Sequence, residues 1–238
     1  MIMKALILAA GYGSRLAPIT DSVPKSLVPV NGTPILFKQI ENLLDNGITD
    51  ITVISGYKGE ILEQRVKEKW PEINIIRSFD YATTNNMFSA YLGIKQLGIG
   101  DMLMMNADVF FDSSVIRELL ACSAPNAIVT DIGTYNEESM KVIESENRIV
   151  AISKTITKSE ALGSSIDVYK FDESGTKAFY DMCVEYIEKK NDLKKWSEVA
   201  LNDALSIVRF EACPLVGRWF EIDNHEDLAA AEKIFKES

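Results

Sequence analysis

The sequence predicts an α/β fold: a mixed, mostly parallel sheet flanked by helices, with a small antiparallel lobe. Three observations predict it. Strand-like segments that are apolar throughout alternate with amphipathic helical segments in the first half of the chain, and a strand apolar on both faces must be covered on both faces. The first of these strands runs directly into a glycine turn, where an open parallel sheet presents its ligand loop. Beyond about residue 125, short strands with close turns replace the alternation.

Each element follows from its pattern. "ALILAA" (5–10) is a continuous apolar strand, and Pro34 to Asn46 carries Ile35, Gln39, Leu43 and Leu44 at helical spacing before stopping at Gly47. "DITVISGY" is a β-branched strand, Gly59 to Trp70 an amphipathic helix, "INIIRS" a third strand and Asn86 to Leu97 a third helix. "DMLMMNADVF" reads as one fourth strand, apolar on both faces until it meets Asn106-Ala107-Asp108. "NAIVTDIG", "MKVIESENRIVAISK" and "GSSIDVYKFD" are the short strands of the lobe, the middle one a hairpin through Glu146-Asn147. Helices over about Glu173 to Lys189 and Lys195 to Val208, a strand at "FEACPLV" and a final helix capped by Asn224, with Asp227 as its box partner, complete the chain. There is no internal repeat, low-complexity segment or flexible linker, so the expectation is one domain over 1–238: a nucleotide-binding part (1–125), an acceptor-binding lobe (126–220) and a closing strand end and helix (221–238).

Composition excludes several classes. With 238 residues and 47% hydrophobic content the chain can bury a large core, while a net charge of −10 without any basic run argues against duplex nucleic acid as partner. An anionic ligand must then be met by a few placed cations. No apolar run approaches the ~18 residues of a membrane span. The start shows no basic segment followed by a hydrophobic stretch and cleavage site, so no leader is expected. Cys122, Cys183 and Cys213, odd in number and scattered, favour reduced thiols and a cytoplasmic location.

Several motifs carry chemistry. In "AAGYGSR", Gly11 and Gly13 free backbone N–H groups to face phosphate oxygens, although the loop matches neither G-x-G-x-x-G nor a Walker A sequence, and glycines also simply turn a chain. Asp108, emerging from an apolar strand end, is costly to leave unpaired, and a hard divalent cation is one way to satisfy it. Asp112, beside Ser113 and Ser114, reads as the cap of the following helix. Asp223 would ordinarily be read as a cap, but Asn224 can take that role; His225 reads as exposed and without chemistry. Thr83, Thr84, Asn85, Asn86 and Ser89 crowd a helix start, and capping accounts for only one or two of them.

Taken together, Gly11-x-Gly13-Ser14-Arg15-Leu16, Pro18, Thr20, Pro24-Lys25 and Leu27-Val28 resemble the signature of the NTP-dependent nucleotidyltransferases, which make sugar-nucleotides and CDP-alcohols on a single-domain α/β fold. The form "Y-A-x-x-N-N-x-x-S-x-Y-L" from Tyr81 looks most like the bacterial CTP:phosphocholine cytidylyltransferases and their relatives acting on 2-aminoethylphosphonate. The resemblance runs from Lys4 to about Ile234 and is specific at the loop, at this segment, at "NAD" and at "FEID". It implies that Lys25 and Arg15 are catalytic, Arg15 meeting the β and γ phosphates and Lys25 the α and acceptor phosphates. It implies nucleotide binding by Ala9, Ala10, Gly11, Gly13, Ser14, Arg15, Gly56, Tyr57, Thr84, Asn85, Asn86, Ser89 and Ala107, and Mg²⁺ held by Asp108 and Asp223. The implied substrates are CTP and a small phosphorylated or phosphonylated amino-alcohol, with a homodimer left open.

The acceptor side departs from the pattern. The phosphocholine enzymes carry a tryptophan after an Asn-Glu pair, whereas this chain reads Asn136-Glu137-Glu138, and Asp167 stands where a glycine is usual. Lys25, Tyr81, Glu138, Asp167 and Trp196 are therefore the expected acceptor contacts, with Tyr81 and Trp196 as cage walls. A carboxylate at 138 suits a primary ammonium, with three N–H donors, better than a trimethylammonium with none; solvated loop charges are the competing reading of Glu137 and Glu138. Two other functions stay in view. A sugar-1-phosphate nucleotidyltransferase would share the N-terminal motifs, and a non-catalytic nucleotide-binding regulatory domain would have lost Lys25 or the carboxylates, which are present.

Overall fold

The computed structural model describes residues 3–236; the two residues at each end that the single-domain expectation included lie outside the described residues. The first strand, β1 (Lys4–Ala9), leads through one-turn 3-10 helices at Ser14–Leu16, Ile19–Asp21 and Lys25–Leu27 to the short strands β2 (Pro29–Val30) and β3 (Thr33–Pro34). Then follow α1 (Ile35–Asp45), β4 (Asp50–Ser55), α2 (Gly59–Lys69), β5 (Asn74–Arg77), α3 (Asn86–Leu97), β6 (Met102–Asn106), β7 (Val109–Phe111) and α4 (Ser114–Ala121). The second half contains β8 (Ala127–Ile132), β9 (Lys141–Ser145), β10 (Arg148–Ser153), β11 (Gly163–Phe171), α5 (Glu173–Val184), α6 (Ser197–Ala204), β12 (Glu211–Pro214), β13 (Trp219–Glu221) and α7 (His225–Ile234).

The main sheet has the order β10-β9-β11-β6-β1-β4-β5, with β8 pairing both β11 and β12. Strands β6, β1, β4 and β5 are mutually parallel, and β11 runs antiparallel against β6. Period-two alternation divides β1 between two cores: Ala5, Ile7 and Ala9 face one, Leu6 and Leu8 the other. The first core is closed by Leu36, Ile40 and Leu43 of α1, Leu62 and Val66 of α2, and Val115, Ile116 and Leu119 of α4. Met87, Ala90 and Ile94 of α3, Phe179 of α5 and Leu201 of α6 close the second. Gly93 lets α3 approach β1 closely, since a Cβ there would stand 2.5 Å from a methyl of Leu6.

Local expectations hold where the deciding physics is local. Helix α3 spans Asn86–Leu97 with Asn85 as its cap, and the hairpin turns through Glu146 and Asn147 at φ 54° and 56°, the pair of left-handed residues that a tight two-residue turn requires. Helix α7 carries the capping box of Asn224 and Asp227. The cysteines are free thiols. Three expectations are corrected. Helix α5 ends at Val184 and continues as a π-helical turn over Glu185–Lys189. Helix α6 begins at Ser197, two residues later than its pattern suggests. The segment read as one strand from Asp101 divides at Ala107-Asp108 into β6, in the main sheet, and β7, which pairs with β13 in a separate two-stranded sheet.

Asp112 is a fourth correction. It does not cap α4, whose N-cap is Ser113 without a side-chain bond; its Oδ2 accepts from the Arg218 backbone N–H at 2.9 Å and Nε at 3.0 Å, and its Oδ1 from Nη2 at 3.0 Å. Burial would raise the Asp112 pKa, but the Arg218 bonds more than offset it and hold the carboxyl below its ordinary value. With Arg218 half exposed, Asp112→Asn should lower stability by only about 1 kcal/mol at neutral pH. A carboxylate with a depressed native pKa stabilises above its unfolded pKa and loses that contribution as pH falls through the native value. The difference between wild type and variant in denaturant unfolding should therefore shrink below about pH 4. A gap that widens in acid would contradict the pairing.

Candidate active site

The break between β6 and β7 creates the site. β7 pairs antiparallel with β13, Val109 opposite Glu221, and the Ile222 N–H donates to the Asp108 carbonyl at 2.9 Å. That register sets Asp108 and Asp223, 115 positions apart in the chain, side by side at the C-terminal edge of the sheet. Lys25 lies between them, its Nζ 2.9 Å from Asp108 Oδ2 and 2.6 Å from Asp223 Oδ1, and Arg15 Nη2 is 2.8 Å from Asp223 Oδ2. Burial alone would lower the Lys25 pKa; the two carboxylates outweigh it and hold the ammonium above its ordinary range. Burial likewise opposes the charge on Asp223, but Lys25 and Arg15 keep its pKa below the usual value.

Glu221, two residues before Asp223, joins this group: one carboxylate oxygen each of Asp108, Glu221 and Asp223 lies within 4.8 Å of the others. Burial, then the Asp108 and Asp223 charges, push Glu221 up to about 7. Asp108 Oδ1 is buried and has no hydrogen-bond partner among the described residues. Three carboxylates, one of them with an unpartnered buried oxygen, fit a divalent cation of the Mg²⁺ class.

These groups line a cavity of about 390 Å³. Of the residues anticipated from the sequence, it brings together Ala9, Ala10, Gly11, Arg15, Lys25, Tyr81, Thr84, Asn85, Asn86, Ser89, Ala107, Asp108, Asp167, Trp196 and Asp223. Gly13, Ser14, Gly56 and Tyr57 are not part of its lining. Gly13 sits at φ 64° against Lys25, whose Cβ would be 2.6 Å from a Cβ added there, so the missing side chain lets the lysine pass. Gly56 backs onto the Ala10 carbonyl and Tyr81, and Tyr57 stacks on Tyr12 at 4.0 Å while donating its hydroxyl to the Thr20 carbonyl at 3.1 Å. Glu138 does not reach the cavity: it is exposed, and its N–H closes a local turn on Asn136 Oδ1 at 3.0 Å. The solvated-loop reading of Glu138 is the one its position matches.

Around the start of α3, capping accounts for Asn85 alone, whose Oδ1 accepts from the Asn86 N–H at 2.8 Å. Asn86 instead spans elements, accepting from the Ser197 N–H of α6 at 2.8 Å and donating to Asn106 Oδ1 of β6 at 3.3 Å. Sequence reasoning missed Asn106, Lys154, Glu198 and Glu221. Glu221 had a signal, being an acidic residue two positions before Asp223 in extended chain, where side chains two apart point the same way. Glu198 had none, being one more acidic residue in the first turn of a helix.

The matching family model is that of nucleotidyl transferases, over residues 4–142. The chain belongs to the nucleotidyl transferase family. Within it, the choline-phosphate cytidylyltransferase of Streptococcus pneumoniae is 40% identical over 121 residues, 51% of each chain. The bifunctional protein GlmU of Methanococcus maripaludis is 31% identical over 98% of this chain and 54% of its own. The chain thus spans about half the length of these curated relatives. The solved structure of the CTP:phosphocholine cytidylyltransferase LicC from Streptococcus pneumoniae superimposes with a TM-score of 0.80 at 24% identity, covering 99% of this chain and all of that one; it establishes the nucleotidyltransferase fold. No helix among the described residues is long and apolar enough to cross a membrane.

Proposed function

We propose that the protein is a Mg²⁺-dependent cytidylyltransferase that transfers CMP from CTP to a small phosphorylated or phosphonylated amino-alcohol and releases pyrophosphate. The observation that carries the reading is Lys25, seated between Asp108 and Asp223 beneath the glycine loop with Arg15 alongside. Similarity to a choline-phosphate cytidylyltransferase supports the nucleotide and acceptor class. The nucleotide occupies the part formed by 1–125 and the acceptor the lobe formed by 126–220, within one domain.

An acceptor oxygen attacks the α-phosphorus; the new P–O bond forms as the bond to the β-phosphate oxygen breaks. The nucleophile is anionic at neutral pH, so no side chain need remove a proton. The chain's own contribution is positioning and charge: the backbone of Gly11 faces the triphosphate, Arg15 holds the departing pyrophosphate, and Lys25 draws the two anionic reactants together. Asp108, Asp223 and the newly found Glu221 would hold Mg²⁺, which when bound supplies neutralisation of phosphate charge. Thr84, Asn86 and Ser89 face the base, and Tyr81 and Trp196 wall the acceptor side.

Pyrophosphate release measured for four NTPs against phosphocholine, phosphoethanolamine, 2-aminoethylphosphonate and glucose-1-phosphate tests the reading. CTP with an amino-alcohol acceptor is expected to give the highest kcat/KM. A strong preference for glucose-1-phosphate, or for another nucleotide, would overturn it.

A further inference from the structure

At the side of the cavity away from the glycine loop, two carboxylates meet without a cation. Asp167 Oδ1 accepts from the Tyr169 hydroxyl at 2.8 Å, and Glu198 Oε1 lies 3.3 Å from the same hydroxyl. Asn106 Nδ2 reaches Asp167 Oδ2 at 3.1 Å and Glu198 Oε1 at 3.5 Å, and Ser197 Oγ donates to that Oε1 at 2.9 Å. Glu198 is only 3% exposed, and its side chain lines the cavity. The cavity's cations are committed elsewhere: Lys25 and Arg15 to the other carboxylates, and Lys154 to the ring of Trp196, 5.1 Å from its centre.

We propose that Asp167 and Glu198 together seat the acceptor's ammonium group and select one that carries N–H donors over a trimethylated one. The proposal rests on the amino-alcohol reading above. Burying two like charges together costs several kcal/mol unless a positive group enters, and burial, followed for Asp167 by the charge of Glu198, pushes both carboxyls above their ordinary range. A primary ammonium satisfies such a pair in charge and in hydrogen bonding, because its three donors meet the acceptors that Tyr169, Asn106 and Ser197 leave free. A trimethylammonium brings charge but no donor, and the tryptophan face that would attract it is already covered by Lys154. The assignment transfers to residues 167 and 198 the selectivity that the sequence pattern suggested for Glu138.

The test is the series phosphoethanolamine, its N-methyl and N,N-dimethyl derivatives and phosphocholine, with CTP and Mg²⁺, on wild type, Asp167→Asn and Asp167→Gly. The glycine variant guards against misfolding, since Asp167 adopts φ 58°, a left-handed conformation that glycine enters freely. In the wild type kcat/KM should fall with each methyl, by about tenfold or more overall, as expected for lost charge-assisted hydrogen bonds. In both variants the ratio of phosphoethanolamine to phosphocholine should drop by about tenfold, an effect that a merely structural role for Asp167 would not produce. A flat or rising series, or equal losses for both acceptors, overturns the proposal. Calorimetric titration of both amines in the presence of CMP separates the failures. Graded binding without transfer leaves the ammonium seat standing and removes the reaction. Transfer to all amines alike removes the seat and leaves the reaction, and no binding of either amine removes both.

Discussion

Lys25→Ala is expected to lower turnover with CTP and the correct acceptor by about 10²-fold or more, because a single placed cation acting on transition-state phosphate charge is commonly worth ~3 kcal/mol. The structure supplies the reason for so large an effect. The ammonium is mostly buried, fixed by two carboxylates at 2.9 and 2.6 Å, and passes through the gap left by Gly13, so it needs little reorganisation to meet a phosphate. Arg15 still pairs with Asp223 in the variant, which limits the charge left unbalanced. Turnover should therefore fall while the unfolding midpoint shifts modestly. Lys25→Arg should not restore the rate, since a planar fork cannot replace a compact point charge in that gap. Near wild-type turnover in the alanine variant would show the lysine to be misassigned.

Asp108 and Asp223 should behave as one unit. Asp108→Ala and Asp223→Ala are each expected to lose most Mg²⁺-dependent activity, and the double variant should be little worse than either, because removing one ligand already disables what the pair does together. Calorimetric titration with Mn²⁺ gives a second readout, with binding weakened in each single variant. Glu221→Gln should weaken it too, since the three carboxylates share one cluster. Fully additive losses of activity, or turnover indifferent to a chelator, would rule against a shared ion.

On the acceptor side, the carboxylate that the local pattern marks and the carboxylates that line the cavity are different residues. Selectivity for a donor-bearing ammonium was suggested by Glu138, the departure visible in the local pattern, yet Glu138 turns to solvent. The pair that lines the cavity combines the half-buried Asp167, an odd residue at a glycine position, with the buried Glu198, which nothing in its neighbourhood marks out. Strand β11 shifts register between Ser165 and Tyr169, and α6 packs against α5, β10 and α3; those two placements bring the carboxylates together.

By itself the sequence determined the layered α/β plan, the position of α3, the hairpin at Glu146-Asn147, the cap at Asn224, and the loop carrying Gly11, Arg15 and Lys25. These are set by burial period and by backbone preferences that act within a few residues. The tertiary structure alone decided that the apolar run from Met102 breaks at Asp108, that Asp112 serves Arg218 and not α4, and that Glu221 and Glu198 enter the cavity. An apolar run reads the same whether it stays in one sheet or divides between two. The choice was made by β13, whose pairing with β7 is a contact between segments about a hundred residues apart, and no local pattern encodes which distant strand will supply the missing hydrogen bonds.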